Sequence, residues 1–91
     1  GWSFNVRSGK LFWSDEVARI HETDPGYLPS LDDAIGFYAP EHRERIAEIF
    51  HRCSRDGVPF DEELELVTAK GNRIWVRAAG KAVRGASGKI I

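Results

Sequence analysis

Cysteine occurs once, at Cys53, so the chain can build neither an internal disulfide nor a thiolate metal cage. A reducing, cytoplasmic setting is the expectation that follows. No apolar run approaches the ~18–20 residues of a membrane span, and no basic stretch followed by an apolar one opens the chain as a signal peptide would. Direct membrane contact by this domain is therefore not expected, although a longer parent protein could be anchored elsewhere. A charge excess is missing too. The 13 Lys and Arg against 14 Asp and Glu leave a net charge of −1, which removes the electrostatic footprint of a nucleic-acid binder. Finally, the sequence has no Gly-rich phosphate loop and no nucleophile elbow with a supporting His and Asp. No catalytic residue is assigned, and this domain is not expected to be an enzyme.

What is present fits a single domain over residues 1–91: 42% hydrophobic and 30% charged residues in a 91-residue chain leave room for one core. A domain this small buries about 60–65% of its unfolded surface, so its stability alone is slender.

Aromatic and β-branched residues flank a Ser-Gly turn at the start, Trp2 to Val6 before it and Leu11 to Ser14 after it, which predicts a hairpin. Ser14, with Asp15 and Glu16 behind it, predicts an N-capped short helix with Val17, Ile20 and His21 on its apolar side, ending before Asp24-Pro25-Gly26. Ser30 with Asp32 and Asp33 predicts a second short helix through Ile35 to Phe37. Pro40 is placed as the first residue of a third. That third helix carries Ile46, Ile49, Phe50 and Cys53 at i, i+3, i+4 and i+7, one apolar stripe, and Asp56-Gly57-Val58-Pro59 ends it.

From Phe60 the period changes to two. Phe60 to Thr68 and Arg73 to Arg84 read as two long antiparallel strands. A loop of Ala69-Lys70-Gly71, with Gly71 left-handed, sets Leu66 opposite Ile74, Leu64 opposite Val76, Glu63 opposite Arg77 and Glu65 opposite Trp75. A loop shorter by one residue would bring Arg77 beside Leu64 on the core face and bury a charge. Gly85 to Gly88 reads as another turn, and Lys89-Ile90-Ile91 as a last strand cut short, which makes the domain incomplete at that edge.

The order of two strands, short helices, one longer helix and three strands resembles the PAS fold. The residues that carry the likeness are Trp2, Phe12-Trp13-Ser14, Pro40-Glu41-His42-Arg43, Gly57-Val58-Pro59-Phe60, Lys70 to Val76 and Gly85 to Ile90. The resemblance implies an α+β domain: a five-stranded antiparallel sheet with helices on one face and a pocket between the long helix and the sheet. His42 departs from it, standing where Asp is common. So does Glu65, where a basic residue is frequent. Both are expected to be solvent-exposed.

Within that frame the residues expected to line a ligand pocket are Phe4, Trp13, Ile20, Phe37, Tyr38, Ile46, Ile49, Phe50, Cys53, Leu64, Leu66, Ile74 and Val76. Trp75, on the outer face with Glu65 and Arg77, marks an expected interface, because a large aromatic is costly to leave wet.

Sharper readings meet plainer ones. Flavin-binding light sensors of this family carry their reactive cysteine in an Asn-Cys-Arg-Phe motif on an earlier helix, which is absent here, so Cys53 is expected to pack as a small apolar group. Oxygen-sensing relatives ligate heme through a histidine on the long helix. His42 and His51 are the candidates, and solvent is the expected surrounding of both. Heme and flavin are accordingly not expected, and no cofactor is assigned. His21, Glu22 and Asp24 lack a metal-ligand spacing and read as a solvated helix end, so no metal site is assigned. Glu62, Glu63 and Glu65 read as salt-bridged strand residues rather than catalytic carboxylates.

The function expected from the resemblance is sensing and signal relay within a larger protein, a histidine kinase or diguanylate cyclase, through a small-molecule ligand or a homodimer. A heme or flavin sensor is the alternative, and an independent enzyme the remote one.

Overall fold

In the computed structural model, which describes residues 1–83 and 89–90, the side chain of Asn5 shapes the first turn. Its Oδ1 accepts from the backbone nitrogens of Arg7 (2.9 Å) and Ser8 (3.1 Å), so strand β1 (Trp2–Asn5) folds back onto β2 (Lys10–Trp13) with Trp2 opposite Trp13 and Phe4 opposite Leu11. The expected helix caps are in place. Ser14 accepts from the Val17 nitrogen ahead of α1 (Asp15–Ile20), and Ser30 accepts from the Asp33 nitrogen ahead of α2 (Leu31–Gly36). Pro40 opens α3 (Pro40–Asp56), and Gly57, at φ 73°, closes it in the left-handed conformation that glycine reaches without strain.

The second hairpin has the register expected from the sequence. Strands β3 (Phe60–Val67) and β4 (Arg73–Gly80) pair Leu66 with Ile74, Leu64 with Val76, Glu63 with Arg77 and Glu65 with Trp75. Gly71 is left-handed at φ 84°, and the loop is closed by Thr68 N–H donating to the Asn72 carbonyl at 2.8 Å.

The strand expected from Arg73 to Arg84 is instead broken. β4 ends at Gly80, and the chain resumes pairing in β5 (Ala82–Val83), which meets β6 (Lys89–Ile90). The break falls at Lys81, just after Gly80, the last paired residue of β4; a Cβ at Gly80 would stand 2.6 Å from the Phe60 ring and 3.0 Å from that of Trp2, so the backbone there passes too close to two aromatic rings for any side chain. The strands form two antiparallel ladders, β2-β1-β6-β5 and β3-β4. The single sheet of five strands expected from the resemblance is obtained only by counting β4 and β5 as one strand across Lys81. The turn expected at Gly85 to Gly88, and Ile91, lie outside the described residues.

Helix α3 bridges both ladders on one face. Phe50 and Cys53 pack with Phe4 and Ile90, while Ile46 and Ile49 pack with Leu64 and Ala78; Phe60 touches both groups. Burial of each such Ile or Phe contributes about 1.5–3 kcal/mol.

The free edge of β3 is covered by the chain between α2 and α3. Val67 N–H donates to the Phe37 carbonyl (2.7 Å), Ala39 N–H to the Glu65 carbonyl (2.9 Å), and Glu65 N–H to Nδ1 of His42 (2.8 Å). The expectation that His42 and Glu65 stand in solvent is thereby corrected. His42 is half-buried because an edge-strand N–H needs an acceptor. The Glu65 side chain, 19% exposed, bonds Arg73, which also reaches Glu41. On the outer face Arg77 binds Asp61 rather than the facing Glu63, and on the inner face Glu62 binds Arg45 of α3.

Candidate functional site

Between the three helices and the inner face of the sheet lies a cavity of about 520 Å³. Its position follows from chain geometry. Leu31 and Ile35 of α2 and Val17 and Ile20 of α1 line the cavity, while the long helix α3 packs on both ladders.

Trp13, buried at the end of β2, forms one corner. It stacks on the imidazole of His21 with centroids 4.0 Å apart and planes 28° apart, and Phe37 meets the His21 ring edge-on at 5.2 Å. His21 follows α1 directly, and its Nδ1 lies 2.8 Å from the Val17 carbonyl. A carbonyl only accepts, so the proton sits on Nδ1 and the lone pair on Nε2. Burial pushes the His21 pKa down, and the hydrogen bond to Val17 partly offsets it. Tyr38 lines the cavity over α3, and burial raises its phenol to about 12.

The α1 end is fastened to the β3–β4 turn. The His21 carbonyl accepts from Ala69 N–H at 2.9 Å, and Glu22 Oε1 accepts from Thr68 Oγ1 and Asn72 Nδ2, both at 2.6 Å. Those two donors, Asn72 foremost, hold the Glu22 carboxyl below its ordinary value. Glu22 takes a left-handed φ of 58° to make this contact. The reading of His21, Glu22 and Asp24 as a solvated helix end is thus corrected for its first two members. His21 is 7% exposed, drawn in by the aromatic corner, and Glu22 is a tether. Among the described residues no group of three His, Cys, Asp or Glu is placed to hold a metal ion.

Of the residues expected in a pocket, Trp13, Ile20, Tyr38, Ile46, Phe50, Leu66, Ile74 and Val76 stand on the cavity wall. Phe4, Ile49, Cys53 and Leu64 do not; they fill the packed layer between α3 and the sheet. Phe37 lies behind Trp13 and His21. Ile20 is 42% exposed and forms a rim, while Ala18 is the residue of α1 that is buried. Sequence reasoning missed His21 as a wall residue, along with Trp2, Leu11, Leu31 and Phe60. The aromatic alternation around Trp2 and Leu11 carried a signal for those two, since they share the inward face of β1 and β2 with Phe4 and Trp13. On the outer face Trp75 is 64% exposed, with its ring 5.6 Å from that of His42.

The three residues weighed from sequence for flavin and heme, Cys53, His42 and His51, do not stand on the cavity wall. The Cys53 thiol is fully buried among Phe4, Phe50 and Ile90, where burial raises its pKa, and it does not border the cavity. A flavin seated there would not meet it. Neither His42, engaged by Glu65, nor the exposed His51 borders the cavity as a heme ligand would.

Comparison with known proteins agrees with this architecture. The N-terminal domain of a diguanylate cyclase with PAS/PAC sensor from Marinobacter aquaeolei superposes with a TM-score of 0.82 at 20% identity, covering 98% of this chain and 83% of that one. An RNA-binding light-oxygen-voltage receptor gives 0.82 at 18% identity, covering 98% of this chain, which spans only 26% of the receptor. A sensory box histidine kinase/response regulator from Burkholderia thailandensis gives 0.74 at 19%, covering 98% of this chain and 69% of that one. At these identities the likeness is one of fold. No curated protein matches the chain in sequence. The family model described as the PAS fold matches residues 10–91, and the chain therefore belongs to the PAS family of sensory, non-catalytic domains.

Proposed function

We propose that this PAS domain is the sensing module of a longer cytoplasmic signalling protein, taking a small molecule into the cavity beside His21 and passing the change to an output domain in the same polypeptide. A histidine kinase or a diguanylate cyclase is the output that the similar proteins suggest. The observation that carries this reading is the cavity itself. At about 520 Å³ it has the size of a small-molecule site. Its wall is mostly apolar, the lining that favours a small apolar molecule over the water that otherwise fills it. A ligand with different affinities for two arrangements of α1 and the β3–β4 hairpin shifts their populations by that difference.

Native mass spectrometry of the purified chain tests this. A retained small molecule that denaturation releases is the expected result. A bare mass, unchanged after incubation with a cell extract of small metabolites, would count against it.

The exposed Trp75 supports a second role, homodimerisation through the outer sheet face with Glu65 and Arg77 at the contact. Sedimentation of the wild type and of Trp75→Ala tests it: a dimer lost in the variant is expected, and a monomeric wild type or an unchanged dimer would refute it.

A further inference from the structure

We infer that the cavity, taken as the ligand site proposed above, selects a neutral and largely apolar molecule bearing a hydrogen-bond donor, a hydroxyl or an N–H, which it presents to Nε2 of His21.

The wall is built from Trp, Leu, Ile, Phe and Val side chains. Its only residue with a permanently charged side chain is Arg77, and that guanidinium is turned to Asp61, with Nε 2.8 Å from Oδ1 and the side chain 72% exposed. No counter-ion is thus offered to a charged ligand, whose burial would be costly without one. Besides the indole N–H groups of Trp2, Trp13 and Trp75, two polar groups stand on the wall, the imidazole of His21 and the phenol of Tyr38.

His21 is an acceptor by construction. Its Nδ1–H is spent on the Val17 carbonyl, which leaves Nε2 with a lone pair and, among the described residues, no protein donor. No side-chain nitrogen or oxygen among these residues is both enclosed and without a partner, so Nε2 keeps an accessible side. One face of the ring is covered by Trp13 and an edge by Phe37, the residue is 7% exposed, and His21 is among the residues that border the cavity. The open side of Nε2 therefore gives onto the cavity. Burial keeps the imidazole neutral, which preserves the lone pair.

The Tyr38 hydroxyl likewise has no partner among the described residues. Its pKa of about 12 keeps it protonated, so it serves a ligand as donor or acceptor. A molecule with a donor for His21 and an otherwise apolar, planar body satisfies this wall, and Tyr38 can take up one further polar atom.

Three probes of one shape test the inference: 2-naphthol, naphthalene and 2-naphthoate, titrated into the wild-type chain near neutral pH. Quenching of the fluorescence of Trp2 and Trp13, which border the cavity, reads the binding. 2-Naphthol is expected to bind about tenfold or more tighter than naphthalene, because the hydrogen bond to a buried acceptor is made in one complex and not in the other. 2-Naphthoate is expected to bind weakest. His21→Phe keeps the stack on Trp13 and should level 2-naphthol with naphthalene. If that variant does not fold, the nitrogen-15 resonance of His21 Nε2 in the wild type replaces it, moving with 2-naphthol and not with naphthalene. Equal binding of 2-naphthol and naphthalene, or preference for the anion, overturns the inference and leaves the cavity as a ligand site. Failure of all three probes to bind overturns the ligand-site reading on which it rests.

Discussion

The imidazole of His42 stands with Nδ1 2.8 Å from the backbone nitrogen of Glu65, 23 residues away in sequence. A backbone N–H can only donate, so Nδ1 carries the lone pair and Nε2 the proton. The contact ends a set of hydrogen bonds that seals the outer edge of β3.

Removing the acceptor should be felt as an orphaned N–H. His42→Phe is expected to lower unfolding stability by about 1–3 kcal/mol. His42→Asn and His42→Asp, whose side-chain oxygens accept from the same donor, should recover more than half of the loss. Urea denaturation of the set decides it, and a smaller loss in His42→Phe than in His42→Asn and His42→Asp would mean that ring packing on Trp75, not the hydrogen bond, holds this place.

A pH effect follows from His21. Its folded pKa lies below the ordinary value of ~6.5, so over the interval between the two the unfolded chain binds more protons than the folded one. Stability is therefore full above ~6.5 and declines as the pH falls from there toward the folded pKa. The carboxylates Glu22, Glu41 and Asp61, whose pKa values are depressed by hydrogen bonds, act lower, losing their contribution only below about 4.5. Denaturant melts from pH ~8 to ~5 should show a decline that His21→Phe reduces; a decline unchanged in that variant would assign it elsewhere.

Gly80→Ala places a methyl 2.6 Å from the Phe60 ring and should cost about 1–3 kcal/mol. Gly36→Ala, with nothing within 4 Å of the added atom, sits at the end of α2 and should be neutral or stabilising by up to about 1 kcal/mol. Thermal denaturation of the pair gives the comparison, and a tolerated Gly80→Ala would show that Phe60 gives way freely.

Glu22 combines a left-handed backbone with two accepted hydrogen bonds. Glu22→Ala loses the bonds and keeps the strain, whereas Glu22→Gly loses the same bonds and relieves it. The alanine variant should therefore be the less stable by about 1 kcal/mol, and the reverse order in chemical denaturation would refute the assignment of strain.

Local chemistry explains what could be read in advance. The Ser14 and Ser30 caps, Pro40, Gly57 and the α3 stripe depend on near neighbours in sequence, and all are where the spacing places them. The β3–β4 register followed from refusing to bury Arg77 beside Leu64. What escaped depends on approaches between distant segments. The need for glycine at position 80, beside the break, is dictated by Phe60 and Trp2, twenty and more residues away. His42 faces a strand edge that no local pattern announces, and His21 is buried by Trp13 and Phe37 arriving from either side. The wall was half legible for the same reason. The α3 stripe divides between cavity and packed core, and periodicity marks the inward face without saying which part of it stays open.

Hairpin tips usually fray first, since they are the least anchored part of a sheet. Here the tip is clamped from outside, with Ala69 held by the His21 carbonyl and Thr68 and Asn72 held by Glu22. The β3–β4 turn is thus tied to the two residues that follow α1. The residue that faces the cavity through its imidazole is the same one that grips the hairpin through its carbonyl. The aromatic corner and the hairpin are joined through one residue.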